Sequence, residues 1–177
     1  YFATSQSEWT HCGHLDVECA TGSPFLSPNS VCDWSGVECS VDASVTALHL
    51  DNNNLDGYLP IEIGHLSALK EIDMDSNKLF GPLPSELGLL PMLEVIDLDN
   101  NLLIGSIPES LYSLTSLRVL DLDYNYLTGS ISDDISALTS LFFIQLDFND
   151  IEGTIPSELG SLSNLDYFSA LSTRLVG

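Results

Sequence analysis

Residues 69–92 read LKEIDMDSNKLFGPLPSELGLLPM, and residues 93–116 read LEVIDLDNNLLIGSIPESLYSLTS. Laid one beneath the other, they match at Leu69 and Leu93, Ile72 and Ile96, Met74 and Leu98, Asn77 and Asn101, Leu79 and Leu103, and Gly81 and Gly105. The match continues through Leu83-Pro84 and Ile107-Pro108, Leu87 and Leu111, and Leu90 and Leu114. Asparagine marks the period: Asn53, Asn77, Asn101, Asn125 and Asn149 fall 24 residues apart each time. Frames from Val45, Leu117 and Leu141 follow the same outline, and a sixth from Leu165 reaches Gly177 with Thr173 in the asparagine position. A fixed period of this length is the signature of stacked repeats.

Each position in the frame has a physical task. Ile72 and Met74 alternate with polar neighbours, so period two predicts a short strand over residues 71–75 with those two side chains inward. The next coil lays an equivalent strand alongside, giving a parallel sheet. Asn77 follows the strand and points inward, where its amide has to satisfy backbone groups of neighbouring turns. Gly81 permits a tight bend, and Pro84 stiffens the return path. Leu87 and Leu90, three apart, predict a 3₁₀ or short helical turn on the back. One coil cannot bury its own leucines, whereas stacked neighbours can.

Outward from the repeats, composition narrows the class. Hydrophobic residues make up 44% of the chain, enough for a continuous core. Asp and Glu number 26 against 4 Lys and Arg, a formal net charge of −22. That balance excludes nucleic acid and disfavours anionic membranes, and it suits a cationic partner, a bound cation or a salty medium. All four cysteines, Cys12, Cys19, Cys32 and Cys39, precede the repeats. They read as disulfides of an oxidising compartment; zinc is the rival because His11 and His14 flank Cys12, but no paired C-x-x-C knuckle supports it. No apolar run is long enough to span a membrane, and the start at Tyr1 without Met reads as a processed or trimmed product, with any anchor outside the fragment.

The outline L-x-x-L-x-L-x-x-N-x-L-x-G-x-I-P resembles the plant-type leucine-rich repeat family of receptor ectodomains and secreted inhibitor proteins, over residues 45–177. The resemblance implies an α/β repeat solenoid: a right-handed leucine-rich repeat superhelix with a parallel β-sheet on its concave face and short 3₁₀ or helical turns on its convex face. Upstream, Cys32-Asp33-Trp34-Ser35-Gly36-Val37-Glu38-Cys39 is similar to that family's N-terminal cap, C-x-W-x-G-V-x-C. In that cap the two cysteines pair and the tryptophan covers the first coil. The same local logic pairs Cys12 with Cys19, one of three connectivities open to four cysteines. Residues 1–44 are thus expected to form a disulfide-tied cap in which Gly13–Ser30, with Gly22, Pro24 and Pro28, is an inserted loop. Residues 45–177 are expected to hold five full 24-residue repeats and one partial. No capping sequence follows, so Phe168, Ala170 and Leu175 are expected to close the array with an open apolar face.

Outward strand positions are left to carry function. One column runs His49, Asp73, Asp97, Asp121, Gln145, Ser169, and the next runs Asp51, Asp75, Asp99, Asp123, Asp147, Leu171. With strands about 4.8 Å apart, adjacent carboxylates repel by roughly 1 kcal/mol even in water. Three outcomes relieve this: a solvated face screened by salt, a divalent cation such as Ca²⁺ at Asp97, Asp99, Asp121 and Asp123, or a basic ligand laid along the face. Asp97-Leu98-Asp99 opens like an EF-hand loop but has Leu102 at the glycine position and Pro108 at the final glutamate position. Tyr124, Tyr126, Phe143, Phe148 and Tyr167 are expected outward near the same face, as binding anchors or as packing against further chain.

His11, His14, His49 and His65 are scattered, and no nucleophile–base arrangement can be drawn on one face, so no enzyme and no cofactor beyond Ca²⁺ is expected. No N-x-S/T sequon occurs. The resemblance implies an extracellular recognition module, secreted or part of an ectodomain, that binds a protein or peptide through its acidic, partly aromatic concave face. The alternatives are a secreted adhesion or matrix protein with Ca²⁺-binding aspartate ladders, and an inhibitor of a wall-degrading glycosidase.

Overall fold

The computed structural model describes residues 30–176. Its strands, in chain order, are β1 (Val37–Cys39), β2 (Val45–His49), β3 (Asp56–Gly57), β4 (Glu71–Asp73), β5 (Lys78–Pro82), β6 (Val95–Asp97), β7 (Leu102–Gly105), β8 (Val119–Asp121), β9 (Tyr126–Leu127), β10 (Phe143–Gln145), β11 (Glu152–Thr154), β12 (Tyr167–Ser169) and β13 (Arg174–Val176). The main sheet has the order β1-β2-β4-β6-β8-β10-β12. Its first pairing is antiparallel and the others are parallel. Coils 1 to 6, starting at Val45, Leu69, Leu93, Leu117, Leu141 and Leu165, therefore stack in sequence order.

The strand expected over residues 71–75 is Glu71–Asp73, and its ladder continues through Met74 N–H to the Asp97 carbonyl and Ser76 N–H to the Asp99 carbonyl. Leu69, Ile72, Met74, Leu79, Leu87 and Leu90 have no exposed surface, as the frame predicts. Burying each such side chain contributes about 1.5–3 kcal/mol before conformational entropy is subtracted.

The asparagines are buried and bridge coils. The Asn77 side-chain oxygen accepts from the backbone N–H groups of Asn53 (3.0 Å) and Leu55 (2.8 Å), and its amide donates to the Leu50 carbonyl (2.8 Å) one coil back. Asn101, Asn125 and Asn149 repeat this, accepting from Leu79, Leu103 and Leu127 at 2.9 Å each. The back of each coil is a 3₁₀ turn: Ile61–His65, Ser85–Leu89, Glu109–Ser113, Asp133–Ala137 and Ser157–Ser161. Among the described residues there is no α-helix, so the helical content of the fold is 3₁₀ throughout.

Gly81, Gly105, Gly129 and Gly153 have φ of +84°, +80°, +80° and +95°, the conformation for which the glycine position was read as a bend. The chain around them also forms ladders that the frame did not predict: a four-stranded sheet β3-β5-β7-β9 and the pair β11-β13. Cys32 and Cys39 form a disulfide, and Trp34 packs half-buried against the first coil's core. The expected Cys12–Cys19 pairing, with His11, His14 and almost all of the inserted loop, lies outside the described residues. Among the described residues no helix is long and apolar enough to cross a membrane.

Candidate functional site

Four columns of side chains cross the outer surface of the main sheet. The first runs Glu71, Val95, Val119, Phe143, Tyr167, and the second His49, Asp73, Asp97, Asp121, Gln145, Ser169, each in strand register. The third, Asp51, Asp75, Asp99, Asp123, Asp147, Leu171, lies just past the strands. There Asn52, Ser76, Asn100, Tyr124 and Phe148 donate their N–H groups to the carbonyls of the following coil's residue in that column, at 2.8–3.1 Å. The fourth column, Asn52, Ser76, Asn100, Tyr124, Phe148, Ser172, takes φ between +45° and +55°. Asn and Ser are tolerated there, but bulky Tyr124 and Phe148 are strained.

Electrostatics follows from stacking. Asp97 is pushed up to about 6, first by loss of water and then by Asp73, Asp75 and Asp123, against a backbone hydrogen bond from Asp99. Asp99 is pushed up to about 8 by burial and then by Asp97, Asp75, Asp123 and Asp121. Asp121 reaches about 7, again chiefly through burial, then Asp123, Asp97 and Asp147. Asp73 is raised by burial and then by Asp51 and Asp75. These carboxyls titrate as a set, because each proton taken up by one relieves the others.

Among the described residues no Lys or Arg forms an ion pair with the aspartates of this surface. The chain's Lys and Arg residues are Lys70, Lys78, Arg118 and Arg174. Among the described residues the one ion pair made by any of them joins Arg174 to Asp150 at 2.9 Å. His49 alone meets the acidic column, with Glu38, Glu71 and Asp73 at 3.7, 3.8 and 3.9 Å.

Aromatic pairs bracket the C-terminal half of the face. Phe143 stacks on Tyr167 in the first column, centroids 4.7 Å apart, and Tyr124 stacks on Phe148 in the fourth at 4.4 Å. Tyr124, Phe148 and Tyr167 are each close to half exposed.

The leucine rich repeat family models match residues 84–151 and, separately, residues 44–66 and 68–90. The ectodomain of the receptor kinase SOBIR1 from Arabidopsis thaliana is similar over 79% of this chain and 81% of that one, at 32% identity and TM-score 0.74. The chain belongs to the leucine-rich repeat family. The plant peptide hormone receptor RGFR1, in complex with RGF2, is 37% identical over 73% of this chain, with TM-score 0.72. The matched chain of the structure PEPR1-AtPEP1 is 33% identical over 81% of this chain, with TM-score 0.79. The present chain spans about a fifth of each of these last two, 21% and 20%. No curated protein matches the sequence.

Within this leucine-rich repeat sheet, Asp73, Asp75, Asp97, Asp99 and Asp121 lie half-buried on the face where the frame placed them. Asp123 and Asp147 do not stand outward. They are 3% and 7% exposed, because each carboxylate folds down to accept hydrogen bonds from the next coil. Gln145 Nε2 donates to Asp123 Oδ2, and Ser169 Oγ (2.6 Å) and the Leu171 N–H donate to Asp147 Oδ1. The break in the second column at Gln145 and Ser169 was the signal for this, since those residues are donors where earlier coils carry Asp.

Asp97, Asp99, Asp121 and Asp123 also do not converge as one ion's ligands. Among the described residues, the trios whose donor atoms lie within 4.8 Å of one another are His49, Glu71, Asp73 and Asp51, Asp73, Asp75. On the lateral surface, sequence reasoning missed exposed Phe80, Leu102 and Ile104 of the second sheet and Tyr58 just past its first strand as apolar surface; there it expected only Tyr126, 57% exposed, to face outward. A cleft of about 420 Å³ beside Tyr58 is lined by Tyr58, Leu59, Ile61, Glu62, Pro82 and Pro84, with Glu62 as its charged group.

Proposed function

We propose that this leucine-rich repeat chain is an extracellular recognition module that binds a basic peptide or protein segment along the acidic, aromatic-flanked face of its main sheet. The observation that carries this is the stacked ladder Asp73, Asp97, Asp99, Asp121, half-buried with no Lys or Arg among the described residues paired to it, whose carboxyls are all raised above their ordinary value, first by burial. A cationic ligand recovers the electrostatic energy that stacking costs, and aromatic pairs at the end of the ladder supply apolar anchoring. The plant peptide hormone receptor RGFR1, solved with RGF2, supports a peptide as the partner class.

Replacing Asp97, Asp99 and Asp121 with Lys tests the reading. A panel of basic and acidic peptides of matched length is titrated against both proteins by calorimetry, with a thermal melt as the folding control. Basic peptides should bind the native chain and lose at least about tenfold in affinity on the reversed face. Equal binding to both proteins would move the ligand site elsewhere.

A second reading, a Ca²⁺-dependent adhesion protein, draws on the closely spaced oxygens of Asp51, Asp73 and Asp75. Millimolar Ca²⁺ should then raise the melting temperature, and an unchanged melt removes it.

A further inference from the structure

The fourth column carries Asn52, Ser76 and Asn100 in coils 1 to 3 and Ser172 in coil 6, all at positive φ. Coils 4 and 5 put Tyr124 and Phe148 there instead, at φ +46° and +52°. The fold does not call for these rings, since the other coils stack without them, and that backbone conformation disfavours a bulky side chain. The two rings lie on each other at 4.4 Å and still leave about half of their surface to water. Across the sheet the first column changes in the same way. It holds Glu71, Val95 and Val119 in coils 2 to 4, then Phe143 and Tyr167, stacked at 4.7 Å, in coils 5 and 6.

Between these two walls the outward acids stop. The second column turns from Asp121 to Gln145 and Ser169, and the Asp147 carboxylate is folded down onto Ser169 and Leu171. Over coils 5 and 6 the acidic ladder thus gives way to an uncharged floor with rings on both sides. The walls stand five residues apart, as Phe143 and Phe148 show, which is roughly 16 Å at most. That is too wide for one ring to touch both, but it admits one extended chain whose side chains point alternately to either side. The walls are also staggered. Tyr124 and Phe148 span coils 4 and 5, and Phe143 and Tyr167 span coils 5 and 6, one strand spacing or about 4.8 Å further on. An extended chain crossing the strands advances about 3.3 Å per residue, so neighbouring side chains meet opposite walls at close to that offset.

We propose that this slot takes two consecutive aromatic side chains of an extended peptide, one laid on Tyr124 and Phe148 and the next on Phe143 and Tyr167. This rests on the reading of the sheet as a basic-peptide face, and it adds the ligand's conformation and register. The ladder's centre, Asp97 and Asp99 in coil 3, lies one and a half strand spacings before the first wall, about 7 Å or about two residues of extended chain. The ligand therefore carries its cation about two residues from the aromatic pair. Charge selects this occupant over two others. A neutral sugar stacks on rings but makes no use of the adjoining aspartates, and a second copy of a chain with formal net charge −22 would bring more acid against them.

The test is calorimetric titration with end-blocked hexapeptides, each made in both chain directions with the tighter of the two scored. Lys-Lys-Ser-Phe-Phe-Ser offers its rings to opposite sides, whereas Lys-Lys-Ser-Phe-Ser-Phe, of the same composition, offers both to one side. Lys-Lys-Ser-Ser-Ser-Ser and Ala-Ala-Ser-Phe-Phe-Ser separate charge from rings. The proteins are the native chain, a double variant Tyr124→Asn with Phe148→Asn, and a double variant Phe143→Val with Tyr167→Val. Each substitution installs what the same column carries in coil 3, Asn100 or Val95, and the native chain's ranking of the peptides stands even if one variant fails to fold.

Lys-Lys-Ser-Phe-Phe-Ser should bind the native chain about tenfold more tightly than its one-sided isomer, and each double variant should lose about tenfold for it. Lys-Lys-Ser-Ser-Ser-Ser should change by less than about twofold. Equal affinity for the two isomers, or variants that leave the first unchanged, would overturn the slot while the basic-peptide reading stands. Equal affinity for the alanine and lysine forms of the Phe-Phe peptide would remove the basic-peptide reading and leave the slot. Binding of cellohexaose that both variants abolish, or a native dimer in sedimentation that they dissolve, would give the rings to a sugar or a second copy and overturn the proposal. If no peptide binds the native chain, both readings fall together.

Discussion

Asn101 shows what a single side chain does in this architecture. Its oxygen takes the Leu79 N–H, and its amide donates to the carbonyls of Met74, Leu98 and Asp99 at 3.0–3.2 Å. Asn101→Ala takes the side-chain partner from the Leu79 N–H and one donor each from the carbonyls of Met74, Leu98 and Asp99. Those carbonyls keep the Asn77 amide, the Asn125 amide and the Ser76 N–H. Stability should fall by about 2–4 kcal/mol, read as a lower urea midpoint. Asn100→Ala, one residue earlier on the exposed surface, should cost about 1 kcal/mol, because Asn tolerates the positive φ there better than Ala.

Asp99 acts in the opposite sense. Its neighbours Asp97, Asp75, Asp123 and Asp121 all disfavour its charge, so Asp99→Asn should remove roughly 1 kcal/mol of repulsion and raise the melting temperature at pH 8 by about 2–4 °C.

At the scale of the element, stacking depends on how closely coils approach. A Cβ on Gly88, in the 3₁₀ turn Ser85–Leu89, would stand 2.3 Å from the Ser110 carbonyl oxygen of the next coil. One on Gly160, at the matching place in Ser157–Ser161, would meet nothing within 4 Å. Gly88→Ala should therefore lower the urea midpoint by the equivalent of about 1–3 kcal/mol, and Gly160→Ala should leave it unchanged or raise it slightly.

The same scale explains what could be read in advance. Ile72, Met74, Asn77 and Leu87 were legible because burial selects residue type at a fixed step of 24. The second sheet was not, because its strand Lys78–Pro82 includes Gly and Pro. It also pairs Phe80 with Leu102, a step of 22, so aligned columns conceal its neighbours. Asp123 was legible as an acid and illegible as a buried one. Its identity equals that of Asp99, and its different burial comes from Gln145 in another coil.

For the whole molecule, the ladder ties stability to pH. The carboxyls of Asp97, Asp99 and Asp121 titrate at about 6, 8 and 7 in the fold against 3.8 ordinarily, so the folded chain binds more protons than the unfolded chain between about pH 4 and 8. Their contribution is therefore fully present below about pH 4, is lost as pH rises through the folded values, and levels off above about 8. Thermal melts across this range should show the midpoint falling toward pH 8. The Asp99→Asn protein should follow a shallower curve, and added NaCl should narrow the gap by screening. A midpoint that rises from pH 5 to 8 would contradict the crowding described.

The asparagine bridges also give the array a mechanical polarity. Asn77, Asn101, Asn125 and Asn149 each reach back to grip the coil before them, but Thr173 spends its hydroxyl within its own coil, on the Ala170 carbonyl and the Leu175 N–H. A tether pulling on the C-terminal end of the described residues would thus load the Asp147 bonds to Ser169 and Leu171 before any asparagine clasp. In a single-molecule stretching trace the sixth coil should detach first, and a higher resistance should come when the Asn149 clasp has to let go.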